Sequence, residues 1–169
     1  MSNTAETLMG TFGMTDYLIP MVLEDLTDVD ARKRARGDEG PSIAWTVGHL
    51  LHYRLHVMKL LGVERDNPWA ERFASADATD GKDYPSVAEL QAAWDVMAAD
   101  FAEVMASKND ADFARIADGA HEERSLRDQV VFFGWHEGYH MGALGAQLKQ
   151  LGYMGPAEKV MAARRAKAE

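Results

Sequence analysis

Residues 125–152 read SLRDQVVFFGWHEGYHMGALGAQLKQLG, and this stretch decides the fold. Leu126, Val130, Phe133, Leu144, Leu148 and Leu151 keep to one face at helical spacing, with no trace of the alternation of a half-buried strand. Ser125 with Asp128 marks a start, because a serine just before a helix accepts from a backbone amide that has no intrahelical partner. Gly152 marks the stop. A helix with one apolar stripe must bury that stripe against other elements.

Outward from this segment the same pattern repeats. Residues 4–26 carry Leu8, Phe12, Leu18, Val22 and Leu26 near one face, weakened by Gly10 and Gly13 and with Pro20 as a kink position. A charged connection occupies 27–41. Ser42 then offers an N-cap for a second helix through Leu61, with Gly62 as its stop. Residues 63–85 read as a long crossover, relieved by one helical turn at 69–73 after Asn67-Pro68. Ser86 and Glu89 form a capping-box pattern, and Val87, Leu90, Trp94, Met97, Phe101 and Val104 carry a third helix to Ser107. The tail at 156–169 is helical in pattern. The expectation is an all-α protein, a four-helix bundle in one domain over 1–169, with its long connection between the second and third helices.

Composition bounds the function. The chain has 169 residues, 47% hydrophobic and 27% charged, which is globular composition. A net charge of −9 disfavours nucleic acid and anionic membrane surfaces. The basic clusters Arg32–Arg36 and Arg164–Lys167 read as solvated faces. The first 13 residues lack the basic and apolar regions of a signal peptide, and no apolar run is long enough to span a bilayer. Cysteine is absent, so there is no disulfide, thiolate ligand or cysteine nucleophile. A cytoplasmic protein is expected.

Five of six histidines fall on two helices: His49, His52 and His56 on the second, His136 and His140 on the fourth, with His121 in a loop. His136 and His140 are four apart, so both imidazoles reach one ion from one helical face. His49 and His56 are two turns apart and cannot share that ion, and spacing does not choose between them as a third ligand. Three neutral imidazoles suit a divalent transition metal and leave a position open for water or a thiolate. Residues 136–140 also spell H-E-x-x-H, the zincin protease signature, but no upstream strand is present to hold a peptide. Glu158 is too interrupted from His140 by Gly152, Gly155 and Pro156 to complete such a site. Glu137 falls on the apolar side, as a proton acceptor, an outer partner of a ligand or a fourth ligand. Trp135 and Tyr139 read as packing residues.

The segments Trp45-Thr46-Val47-Gly48-His49-Leu50 and His136-Glu137-Gly138-Tyr139-His140-Met141-Gly142 resemble the DinB/YfiT-like superfamily. The resemblance implies a bundle of up-down-down-up topology, a homodimer, and a divalent metal, zinc or nickel, held by His49, His136 and His140. It sets His52 and His56 aside. Ala143 stands where relatives often carry glutamine, which removes one candidate for orienting a ligand. Characterised relatives include transferases and isomerases that use low-molecular-weight thiols such as bacillithiol or mycothiol. The resemblance therefore implies a thiol-dependent S-transferase acting on a small-molecule substrate, with Glu137 as proton acceptor. A metal-dependent hydrolase and a non-catalytic metal-binding protein are the alternatives.

Overall fold

The computed structural model describes residues 4–37, 39–75, 78, 83–116 and 124–167. Eight helices occur among them: α1 (Thr4–Leu23), α2 (Asp28–Ala31), α3 (Ile43–Leu60), α4 (Ala70–Phe73), α5 (Val87–Ala106), α6 (Asp110–Ala114), α7 (Leu126–Gln150) and α8 (Pro156–Ala166). No strand is present among the described residues, only isolated bridges at Arg34–Ser42 and Ile116–Ser125.

Caps set the helix limits. Ser42, Ser86 and Ser125 accept from the amides of Trp45, Glu89 and Asp128, and Glu89 reaches back to the Ser86 amide in a complete capping box. Gly62 and Gly152 follow α3 and α7 with φ of 87° and 88°, a left-handed region that costs a glycine nothing. The first long helix ends at Leu23, not at Leu26 as its periodicity suggests. Thr27 instead caps the separate turn of α2 by accepting from the Asp30 amide.

The four long helices α1, α3, α5 and α7 enclose the core, with α1 and α3 each packed on both α5 and α7. Thr11 and Thr15 of α1 meet Gly134 and Glu137 of α7, so those two helices run parallel. The amide of Thr4 donates to Asp110 just beyond α5, and Phe12 meets Phe101 edge-on, so α1 and α5 run antiparallel. Against α7, α3 is antiparallel: Gln147 donates to the Pro41 carbonyl, Arg54 meets Glu137 and His56 meets Phe133. Phe12, Ile19, Ile43, Leu50, Met58, Leu90, Trp94 and Phe101 fill the interior. Ile19 lies in the core where the periodicity suggests Leu18, which is only half-buried.

The first basic cluster is not merely solvated. Arg32 donates to the Tyr84 carbonyl, and Arg34 to the carbonyls of Gly40 and Ala78, tying the connection after α2 to the long crossover. At the other end of the chain, Lys159 of α8 donates to the carbonyls of Met21 and Glu24. No helix is long and apolar enough to cross a membrane among the described residues.

Candidate metal centre

His49 sits in the second turn of α3, where Gly48 makes room for the connection. A Cβ at position 48 would lie 2.5 Å from Cε1 of Phe73 and nearer still to two other ring atoms, so glycine lets the buried Phe73 ring lie flat on the helix. That seating brings the Phe73 carbonyl within 3.0 Å of His49 Nδ1. A carbonyl only accepts, so Nδ1 carries the hydrogen and Nε2 presents its lone pair to the interior of the site. The indole of Trp45, one turn earlier, stacks on the imidazole at 4.4 Å.

Across the α3–α7 interface, Nε2 of His49 lies 3.3 Å from Nε2 of His136, which lies 3.0 Å from Nε2 of His140. One ligand atom from each residue falls within 4.8 Å of the others. Nitrogens held about 2.0–2.1 Å from a tetrahedral ion stand roughly 3.3 Å apart, so the residues present fit a shared divalent cation. Burial lowers the imidazole pKa values, to about 4 for His49 and for His140, with neighbouring histidine charges adding to the effect; the Phe73 carbonyl opposes it at His49. Burial lowers His136 as well. The rings are therefore neutral at pH 7 with lone pairs available. His136 Nδ1 is buried without a hydrogen-bond partner among the described residues, so nothing equivalent to the Phe73 carbonyl holds that ring.

Glu137 faces elsewhere. It is only 3% exposed, and its two oxygens accept from Arg54 Nε and Nη2 at 2.6 and 2.7 Å. Burial raises its carboxyl above the usual range, against the pull of Arg54 and the Thr15 hydroxyl. Burial also works against the Arg54 charge, but Glu137 and Asp16 raise its pKa and hold it cationic. The guanidinium lies 4.6 Å from the Phe12 ring centre and 4.5 Å from that of Phe101, with Asp16 Oδ1 at 3.1 Å from Nη1. The H-E-x-x-H pattern is thus divided, with two histidines at the site and the glutamate in the core. With no strand among the described residues, the protease geometry is absent. Glu158 likewise serves α8, accepting from the Gly155 amide and pairing with Lys149.

The structure separates the remaining histidines from the centre. Half-buried His52 lies 3.4 Å from Asn67 Nδ2, and His56 meets the Phe133 ring; neither joins the three-ligand group. His121 lies outside the described residues. Trp135 and Tyr139 are not packing residues: they are 63% and 64% exposed. Tyr139 and Phe132 contact the rings of His140 and His136, so the outer rim of the centre is aromatic. Sequence reasoning missed Arg54 and Phe73. Arg54 had a signal, a cation three residues from Val57 on a buried stripe. Phe73 had only Gly48, since a main-chain carbonyl acceptor leaves no residue-type signature.

A helical bundle with three imidazoles converging between two of its long helices defines a class of candidate metal-binding proteins. Residues 15–144 match the DinB superfamily, and the chain belongs to it. Among solved structures, a DinB-like protein from Bacillus cereus ATCC 10987 shares the fold with a TM-score of 0.71 and 14% identity, over 89% of this chain and 95% of the other. No curated protein matches the chain in sequence.

Proposed function

We propose that His49, His136 and His140 hold a divalent ion, zinc or nickel, and that the protein is a thiol-dependent S-transferase. The approach of three neutral Nε2 atoms to within one coordination sphere carries this reading. When bound, the ion supplies a Lewis acid that favours the thiolate form of a low-molecular-weight thiol at neutral pH. His49 is held by Phe73 on one side and Trp45 on the other, and so fixes the inner corner of the site. Half-buried His136 and His140 leave the outer side open, where the thiol enters and its proton leaves to solvent. The sulfur then attacks the electrophilic atom of the small-molecule substrate, forming a carbon–sulfur bond as the leaving group departs. In this reading Glu137 is not the proton acceptor, because Arg54 occupies both its oxygens in the core. The absence of cysteine agrees with a sulfur that arrives with the cosubstrate in a reducing cytoplasm.

The reading includes a homodimer. Met14 and Tyr17 on α1, with Trp135 on α7, are exposed large apolar residues of a kind that association buries. Sedimentation velocity tests this part by itself, with a monomer at micromolar concentration refuting it.

Elemental analysis of the purified protein tests the metal site. One zinc or nickel per chain is expected in the wild type and loss of it in His136→Ala and His140→Ala; retention in folded variants overturns the assignment. Transfer to a bimane electrophile should then require added bacillithiol or mycothiol. Turnover of an ester without thiol would favour hydrolysis.

A further inference from the structure

A cavity of about 630 Å³ lies between α3, α5 and the crossover, and none of the three histidines lines it. This volume falls within the usual span of small-molecule sites. Its existence follows from small residues on α5. Ala92 and Ala93 face a space whose other lining includes Leu51 and Leu55 of α3 and buried Met97, so the two helices do not fill the gap between them. Pro68 and Trp69 of the crossover supply another wall, and the Trp69 ring is half-buried against the core. Asn67 holds that wall in place by accepting from the Trp69 amide at 3.0 Å.

The charged groups at this cavity are unbalanced. Asp66, Glu89 and Asp100 line it together with a single cation, Arg65. Arg65 is spent on Asp100, its Nε donating at 2.8 Å. Glu89 is held as a carboxylate by the Ser86 amide and hydroxyl with the charge of Arg32 nearby, and Asp66 projects from the exposed crossover. The lining therefore keeps a net negative charge, carried most freely by Asp66, beside an apolar interior with one aromatic ring, in a protein that is itself strongly acidic. An anionic ligand is repelled here, and a neutral one gains only from the apolar walls. A cation gains both from the net negative lining and from contact with the Trp69 indole.

We propose that this cavity binds a small organic cation, an ammonium head on a ring-sized apolar body. The site is independent of the metal centre, so a failure here leaves the proposed transferase untouched.

Titration of the metal-loaded protein with 1-naphthylmethyl(trimethyl)ammonium, followed by indole N–H resonances in two-dimensional NMR, tests this. Trp69 is one of four tryptophans, and Trp69→Phe identifies its signal. Saturable movement of the Trp69 signal is expected, with 1-naphthylmethanol weaker and 1-naphthylmethanesulfonate weakest. Ala92→Phe, at an exposed helical position, should weaken the ammonium at least tenfold. Asp66→Asn should weaken it by roughly threefold to fivefold, as loss of one nearby charge implies. Unchanged melting temperature and metal content in both variants show that the fold is intact. The proposal is overturned if Trp69 does not respond at millimolar ammonium, if the sulfonate binds as tightly, or if Ala92→Phe binds like the wild type.

Discussion

Gly48→Ala sets two physical effects against each other. An alanine in the interior of a helix is worth about 1 kcal/mol more than glycine, so α3 alone would be stabilised. The new Cβ, however, would lie 2.5 Å from Phe73 Cε1, where carbon atoms pack comfortably at about 3.5–4.0 Å. The ring must retreat by about 1 Å or more, and it is fully buried. Undocking Phe73 costs at most about 2–3 kcal/mol of apolar burial. The net expectation is a loss of about 1–2 kcal/mol, or about 2–8 °C in the melting temperature of a chain this size. The Phe73 carbonyl moves with its ring, so His49 loses the acceptor that presents its Nε2. Metal affinity should then fall by about tenfold to a hundredfold. Calorimetry of the metal-free protein reads the first effect, and competition with a chromophoric chelator reads the second. A raised melting temperature with unchanged affinity would refute the reasoning: helix propensity would then outweigh the clash, and the Phe73 contact would have no consequence for the site.

Other expectations follow from the same contacts. Arg54→Met leaves Glu137 and Asp16 facing a buried site without their cation and should cost about 3–5 kcal/mol in urea unfolding. Adding Glu137→Leu should recover part of that loss, and a strictly additive double variant would show the pair to be uncoupled. Acidification acts through the centre itself. The folded-state pKa values of His49 and His140 lie near 4, below the ordinary imidazole value of 6.5, so under pH 6.5 the unfolded chain takes up protons that the folded chain refuses. The urea midpoint of the metal-free protein should fall progressively from pH 6.5 towards 4, and triple replacement of the three histidines by glutamine should flatten that slope. Ser86→Ala removes the capping box of α5 and should cost about 1 kcal/mol by the same denaturation assay.

The predicted caps and stops survive in the structure because they are local: a serine oxygen reaches an amide three residues on whatever the rest of the chain does. The end of the first helix is less legible for a related reason. Leu26 keeps the helical period and is buried, but Asp25 before it takes a left-handed φ of 63° and Thr27 caps α2, so periodicity alone overruns the boundary. The exposed rim is hidden from the sequence because Trp135 and Tyr139 are apolar rings at helical spacing, and composition does not say which side of a helix lacks a neighbour.

The candidate centre divides in the same way. The four-residue spacing of His136 and His140 is a property of any α-helix, so the chain itself determined that these two imidazoles share a face. It also determined the all-helical class, through periodicity and caps, and the absence of any cysteine chemistry. Helical spacing left His49 and His56 open, and only the family resemblance pointed to His49; physically the choice depends on the register in which α3 lies against α7, which the tertiary structure sets. It alone turned Glu137 away onto Arg54, since a helix with neighbours on two sides has more than one inward direction and local spacing does not say which of them holds the cation. The Phe73 carbonyl entered by the same route: a main-chain group can be recruited from any residue, and only the seating of a ring on a glycine selected this one.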